Sequence, residues 1–202
     1  MNIIDSWNKL TIGKWQEAIA LEGIRLENFE ASIELLRVLS DLTIKDIHSL
    51  TLIELNNCSQ KLNFLNTPCE DKMKDSFVIK DQKFIVNWRL ETRTAGQFID
   101  LTSLTKDPEL INQNLHQILA ILCLPKGEAY TAETFEERAN LFRDNLTMNI
   151  ALPMSVFFWK VLNESLPIIA DSLNEKIVTM TQDLKTQMDR EILMSTGVGM
   201  QP

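Results

Sequence analysis

The fold depends on the stretch Asn87-Trp-Arg-Leu-Glu-Thr-Arg-Thr-Ala-Gly-Gln-Phe-Ile-Asp-Leu101, because the hydrophobic pattern changes within it. Before this stretch the apolar residues are spaced as in β-strands, and after it they are spaced as in helices. Thr94 stands three residues before Gln97, which is the spacing of a capping box at a helix start. We therefore predict that residues 87–101 join a β-hairpin to a helix.

Five residues of this junction are candidate interaction residues. Trp88 is expected to end a strand, and Arg89, Glu91 and Arg93 are expected to alternate along an extended continuation of it. The two arginines are suited to hold a carboxylate of the same chain or of a neighbouring subunit, and a phosphate contact is the alternative. Gly96 is expected to allow a close backbone approach in the first turn of the helix.

The N-terminal third of the chain predicts helices with recurring threonine caps. Thr11, Thr43 and Thr51 each precede a helical pattern, and Asp46 and Glu54 stand at the capping-box distance from the last two. Asn28 is a further candidate cap, for a helix over residues 29–40. Residues 1–66 are therefore predicted to form a helical region.

A connector and hairpin are predicted over residues 67–93. Two β-rich runs, Phe77–Ile79 and Phe84–Trp88, flank a polar turn at Lys80–Lys83. An isolated hairpin is marginal in water, so this one must lie on the helices or on another chain.

Helices are predicted again over residues 94–150. The pair Asp107-Pro108 marks a helix start, the run Pro125–Gly127 is expected to end that helix, and Thr131 is expected to open the next helix, over residues 132–146. Pro153 is then expected to begin a long helix.

The long C-terminal helix is predicted over residues 151–194, with a kink near Pro167 and a tail at 195–202. It carries a narrow apolar stripe that packs either on its own domain or on a neighbouring subunit; the interaction candidates on this stripe are Leu173, Ile177, Met180, Leu184 and Met188. The fold class that follows is mainly α: a helical bundle with one small β-hairpin and a long C-terminal helix, forming one domain overall.

Composition limits the classes of function. A net charge of −8 disfavours nucleic-acid binding through phosphate neutralisation, although an acidic inhibitor or DNA mimic stays an alternative. The chain has no apolar run of the roughly 20 residues that a membrane span needs, and it begins without a secretory-signal pattern. The odd number of cysteines suits a reducing compartment. No motif predicts catalytic, cofactor-binding or metal-binding residues; His48 and His116 are expected to be structural.

Three patches of the sequence resemble structural or assembly proteins of tailed bacteriophages, specifically the crAss-like and related phages of Bacteroidetes hosts. The patches are Leu10–Ala18, Trp88–Leu101 and Pro125–Tyr130. This resemblance implies a non-enzymatic helical ring protein that joins the portal to the tail, forms a homo-oligomeric ring and contacts the portal or neighbouring tail rings. It also implies a location in the virion after assembly in the host cytoplasm, with no cofactor.

A second resemblance covers Leu10–Leu65, which is similar to phage tail assembly chaperones. Such proteins bind tail components transiently and do not remain in the particle. The hairpin and the roughly 100 further residues depart from the chaperone pattern. We therefore expect a ring component of the head-to-tail connector or tail, with the chaperone as the alternative.

Overall fold

The structure is a computed structural model that describes residues 1–21, 28–69 and 73–160. The chain divides into two compact units, residues 1–156 and 157–202. The first unit is mainly helical with one small antiparallel sheet, which confirms the mainly α class and the predicted hairpin. The predicted kink at Pro167 and the apolar stripe from Leu173 to Met188 lie outside the described residues.

Four α-helices lie in the N-terminal part of the first unit, and threonines cap three of them as predicted. Their bounds are α1 Ile12–Ala20, α2 Asn28–Val38, α3 Ile44–Ser49 and α4 Leu52–Lys61, and a 3₁₀ turn, Leu62–Asn66, continues α4. The hydroxyls of Thr11, Thr43 and Thr51 accept amide hydrogen bonds at 3.4, 3.3 and 3.3 Å. Each cap satisfies an amide that the first turn leaves unpaired.

The sheet has three antiparallel strands in the order β1-β2-β3. Strands β1, Ser76–Ile79, and β2, Gln82–Val86, form the predicted hairpin, while β3, Cys123–Pro125, was not predicted. Lys80 and Asp81 form a two-residue turn with φ of 46° and 65°. Positive φ at both positions belongs to the type I′ turn, whose twist matches that of the paired strands.

Three helices follow the hairpin: α5 Ala95–Thr105, α6 Ile111–Leu122 and α7 Phe135–Asn145. A 3₁₀ turn, Pro108–Leu110, precedes α6, which confirms a helical start at Asp107-Pro108. Residues 148–160 are helical as well.

Several predicted helix bounds were wrong. Asn28 lies within α2 rather than capping it, and α2 ends at Val38 rather than at residue 40. Helix α6 ends at Leu122 rather than at Pro125. The proline disfavours helix at Leu124, and residues 123–125 pair with β2 as strand β3. Helix α7 starts at Phe135, since the Thr131 hydroxyl contacts the Thr134 hydroxyl at 3.0 Å and caps no amide. The last helix begins at residue 148 instead of Pro153, with the Thr147 carbonyl accepting from the Ala151 amide at 3.0 Å.

The core lies between the inner face of the sheet and the helices α6 and α7. Phe84 contacts Phe77 and Phe142 with ring centroids 5.5 and 4.9 Å apart. Helix α6 contributes six consecutive or near-consecutive buried residues: Leu115, Ile118, Leu119, Ala120, Ile121 and Leu122. The hairpin therefore packs on helices of its own chain. This is one of the two positions expected for a hairpin that is marginal in isolation.

The N-terminal segment is fixed to the end of α7 by main-chain hydrogen bonds. The Ile12 amide donates to Leu146 at 3.0 Å, and the Met148 amide donates to Leu10 at 2.7 Å. Gly13 lies against Arg143, and a Cβ atom added there would stand 3.1 Å from the Arg143 carbonyl oxygen. This close backbone approach favours glycine, because any side chain would press on the main chain of α7.

Candidate functional site

Asn87 organises the junction between the hairpin and α5. Its amide nitrogen Nδ2 donates to the Thr92 hydroxyl at 2.9 Å, and its Oδ1 accepts from the Arg89 amide at 3.1 Å. Its carbonyl accepts from Nη2 of Arg93 at 2.7 Å, and its main-chain amide donates to Leu122 at 3.1 Å. The side chain thus folds the segment back on itself directly after β2.

The extended alternation predicted for Arg89, Glu91 and Arg93 was wrong. Residues Leu90–Thr92 form a 3₁₀ turn, which the hydrogen bonds of Asn87 stabilise. Arg89 and Glu91 are exposed, whereas Arg93 is half-buried and binds the Asn87 carbonyl. Pairing of an arginine of this stretch with a carboxylate stays a prediction.

Trp88 and Gly96 also differ from their predicted roles. Strand β2 ends at Val86, two residues before Trp88, whose Nε1 donates to Oδ1 of Asp75 at 2.9 Å. A Cβ atom on Gly96 would meet only the Thr94 hydroxyl, at 3.9 Å, so no part of the described chain approaches Gly96 closely. The capping box of Thr94 and Gln97 is present as predicted.

The junction satisfies the buried C-terminal end of α6. The last four carbonyls of a helix have no partner within the helix. In α6 the Leu119 carbonyl accepts from the Cys123 amide, and the Leu122 carbonyl accepts from the Asn87 amide at 3.1 Å. Side chains serve the two carbonyls between them. The Ala120 carbonyl accepts from Nε of Arg138 at 2.7 Å, and the Ile121 carbonyl accepts from Nε2 of Gln97 at 3.1 Å. We call Asn87, Arg93, Gln97 and Arg138 the helix-end cluster.

Charge at the helix-end cluster has an electrostatic reason. The C-terminal end of a helix carries a partial negative charge, which favours a cation beside it. Burial lowers the pKa of Arg93 to about 10, and burial also lowers the pKa of Arg138. A pKa of about 10 leaves the Arg93 guanidinium charged at neutral pH.

Cys123 and Tyr130 next to the cluster are held in their neutral forms. Burial raises the pKa of the Cys123 thiol, which makes a thiolate nucleophile unfavourable there. Burial, with a hydrogen bond of 2.6 Å to Oδ2 of Asp100, raises the pKa of Tyr130 to about 12. The Arg138 guanidinium lies 5.8 Å from the centroid of the Tyr130 ring. These groups support structure rather than acid–base chemistry.

The two histidines occupy different surroundings. His48 is exposed on α3, while His116 is half-buried on α6 with its Nδ1 3.0 Å from Nε2 of Gln16. Burial and the nearby Arg143 lower the pKa of His116, so its imidazole is neutral at pH 7. In the ranges that the structure covers, no group of three or more His, Cys, Asp or Glu side chains is placed to hold a metal ion.

A cavity of about 370 Å³ lies between the hairpin turn and α7. Its lining carries both charge signs, with Lys80 and Arg138 facing a set of three carboxylates: Glu128, Glu137 and Asp144. Two nitrogens of Arg138 are already bound to Ala120 and Thr134. Because the lining carries both charge signs, it does not indicate whether a ligand would be an anion or a cation.

The outer face of the sheet carries a row of apolar side chains. Val78 on β1 and Ile85 on β2 are 62% and 39% exposed, and Ile85 stands directly opposite the half-buried Leu124 on β3. Val78 is the diagonal neighbour of Ile85, because Val78 pairs with Lys83. We call Val78, Ile85 and Leu124 the outer-face row.

A second exposed apolar surface lies at the start of α4. Leu52 and Ile53 are 78% and 76% exposed. The sequence places these two residues in a helix, and Val78 and Ile85 in strands, but which face of each element they occupy was not predicted. In the structure Phe77, Ile79, Phe84 and Val86 are buried, and this separates Val78 and Ile85 from the core.

Within the part of the chain that the structure describes, none of the helices has both the length and the apolar character of a membrane span. The proposed partner surface on Leu173, Ile177, Met180, Leu184 and Met188 belongs to the residues outside that description. Comparison of the chain with family models, with curated proteins and with solved structures finds no match.

Proposed function

We propose that this chain is a non-enzymatic structural protein of a tailed-bacteriophage particle, a ring or adaptor subunit of the head-to-tail connector or tail. The observation that carries the proposal is the outer-face row on a preformed sheet. Exposed apolar side chains grouped on one face are typical of protein–protein contact surfaces, and here they stand beside Ser76 and Lys83. The resemblance of three sequence patches to phage structural proteins supports the same reading.

The sheet is a rigid platform for such a contact. Its inner face is fixed by Phe77, Phe84 and Phe142, and β3 begins at the helix end that Gln97 and Arg138 cap. A partner that binds Val78 and Ile85 therefore meets side chains that are already ordered, which lowers the entropic cost of association.

A ring also requires two different surfaces on each subunit, because head-to-tail contacts repeat around the axis. The outer-face row and the exposed start of α4 are two such surfaces. The predicted long C-terminal helix, with its stripe from Leu173 to Met188, is proposed as a further contact between subunits. These contacts would join copies of the chain or neighbouring portal and tail proteins.

The alternative function is a tail assembly chaperone that leaves before the particle is complete. The observation that favours it is the exposure of Leu52 and Ile53, since both lie inside the segment that resembles such chaperones. A transient binding surface needs exposed apolar side chains in the free protein.

Quantitative mass spectrometry of purified virions separates the two functions. A ring protein is expected in mature particles at a fixed ratio to the portal protein. Presence in infected cells together with absence from purified particles would overturn the ring proposal and support the chaperone.

Substitution of the outer-face row tests the observation behind the proposal. Ile85→Glu places a charge on the exposed face, where the fold has room for it, and is expected to lower incorporation into particles at least about tenfold, because a charge is poorly tolerated in an apolar contact. Ile99→Glu is the matched control, since Ile99 is 65% exposed on α5 and lies outside the row. Equal incorporation of the two variants would remove the outer-face row from the contact surface.

A further inference from the structure

Among the described residues, strand β1 lies at an edge of the sheet with only β2 as its neighbour. In an antiparallel pair the residues alternate between those that bond to the neighbouring strand and those whose main-chain groups point away. The Val86 amide donates to the Asp75 carbonyl at 2.9 Å, which places Asp75, Phe77 and Ile79 in the set bonded to β2. The amides and carbonyls of Ser76 and Val78 therefore point outward.

This edge is short, at four residues, but it lacks three other devices that protect exposed strands. Edge strands are commonly blocked by proline, by a bulge, or by a charge that points inward. Strand β1 has the sequence Ser-Phe-Val-Ile, its register with β2 is regular, and its inward side chains are Phe77 and Ile79. In the described ranges, no main-chain hydrogen bond reaches Ser76 or Val78 from outside the sheet.

A second copy of β1 is a poor occupant of the edge. In antiparallel pairing the outward residues of the two strands must face each other. Pairing Val78 with Val78 of a second copy places Ser76 opposite Lys80, and pairing Val78 with Ser76 places Lys74 opposite Lys80. Neither register brings an acidic residue to the exposed Lys80, and the second brings two lysines together at the end of the ladder, which is destabilising.

We propose that β1 accepts an extended segment of a different virion protein as a fourth strand of the sheet. The incoming strand places an apolar residue opposite Val78, and an acidic residue at the turn end, where Lys80 and Lys83 are exposed. Its main chain bonds to Ser76 and Val78, so that hydrogen bonds give affinity and the outer-face row gives selectivity. This inference rests on the proposed function, because it identifies the partner as a component of the particle.

Hydrogen–deuterium exchange on the chain, free and in purified particles, tests this inference. In the free chain the Ser76 and Val78 amides are expected to exchange quickly, whereas Phe77 and Ile79 are bonded to β2. In the particle, exchange of Ser76 and Val78 is expected to slow about a hundredfold, because a paired amide exchanges only after local opening. Absence of the chain from particles overturns the proposed function, and this inference with it.

Presence of the chain in particles with unchanged exchange at Val78 overturns the inference alone. If exchange at Val78 of the purified chain becomes slower as the concentration of the chain rises, the occupant is a second copy. That result would also overturn the inference.

A pair of variants separates main-chain pairing from side-chain contact. Val78→Pro removes an outward amide and leaves the ladder to β2 intact, as edge strands permit; it is expected to reduce incorporation into particles about tenfold or more. Val78→Thr keeps the amide and replaces one methyl group of the outer-face row by a hydroxyl, so it is expected to reduce incorporation less than Val78→Pro. Equal incorporation of both variants contradicts strand addition, and the exchange measurement on the unaltered chain decides the question if Val78→Pro does not fold.

Discussion

Arg138 is an arginine with only 5% of its surface exposed, and its position has a physical reason at the scale of single residues. Taking a guanidinium out of water is costly unless its nitrogens are bound. Nε of Arg138 binds the Ala120 carbonyl and Nη1 binds the Thr134 hydroxyl at 3.2 Å. The residue therefore supplies a donor to the buried end of α6, while its Nη2 is buried without a hydrogen-bond partner in the described part of the chain.

Replacement of Arg138 by methionine tests this role. Arg138→Met leaves the buried Ala120 carbonyl without its donor, so we expect the free energy of unfolding to fall by about 2–4 kcal/mol. Urea unfolding followed by circular dichroism measures the change. Arg37→Met is the matched control: Arg37 is exposed and pairs with Glu34 on the surface, where such pairs contribute about 0–1 kcal/mol. Equal losses in the two variants would contradict the capping role.

Tyr130 gives a direct optical test of the same region, because it is the only tyrosine in the chain. Its pKa is raised to about 12, so the phenolate absorbance is expected to appear near that pH in the folded protein and near about 10 after unfolding in urea. The neutral form is favoured by folding, so stability is full below the unfolded pKa and falls as pH rises through the folded one. A folded midpoint near 10 would contradict burial of this hydroxyl.

Substitution by alanine is expected to have opposite effects on stability at two glycines that occupy equivalent helix positions. Gly13 and Gly96 are each the second residue of their helices, α1 and α5. Gly96→Ala has space and is expected to raise the free energy of unfolding by about 0.4–1 kcal/mol through a less flexible unfolded chain.

Gly13→Ala instead forces a methyl group against the Arg143 main chain, and we expect a loss of about 1–3 kcal/mol. Thermal unfolding of both variants measures the difference. A gain in Tm for Gly13→Ala would show that α7 yields to the methyl group without cost.

At the scale of elements, the hairpin turn is closed by residues that do not suit it best. Both turn positions have positive φ, which favours glycine or asparagine. Asp81→Gly is expected to stabilise the protein by about 0.5–1 kcal/mol, measured by urea unfolding. The converse control is Gly127→Ala, where φ is +86° and an alanine is expected to cost about 1 kcal/mol. A loss of stability in Asp81→Gly would mean that the aspartate side chain contributes more than the backbone strain costs.

The sequence predicted where helices and strands occur better than it predicted the residues at which they begin and end. The caps at Thr11, Thr43, Thr51 and Thr94 and the hairpin follow from local chemistry and are present as predicted, whereas Thr131 caps no helix. Strand β3 was missed because Cys123–Pro125 becomes extended only by pairing with β2, a contact distant in sequence. The bonds from Arg138 to Ala120 and from Gln97 to Ile121 were missed for the same reason, since these carbonyls lack helical partners only once α6 ends at Leu122.

At the scale of the whole first unit, the sheet and the helices share one aromatic contact set. The rings of Phe77, Phe84 and Phe142 touch each other, and Phe142 is fully buried on α7. The outer-face row depends on this set, because β1 and β2 keep their orientation only while their inner face is packed. Sequence periodicity placed Phe142 on the apolar face of its helix but gave no means of pairing it with the hairpin.

Phe142→Ala is therefore expected to weaken the sheet and the helices together. Removal of a fully buried phenylalanine leaves a cavity and costs about 3–5 kcal/mol. Urea unfolding followed by far-ultraviolet circular dichroism and by tryptophan fluorescence should give coincident transitions, both shifted to lower urea, because one core serves both layers. Ile99→Ala is the control, since Ile99 is largely exposed and its truncation is expected to cost about 0.5 kcal/mol or less. Separate transitions for the two probes in Phe142→Ala would mean that the sheet unfolds independently of α7, and the platform proposed for partner binding would then lack the rigidity on which its selectivity rests.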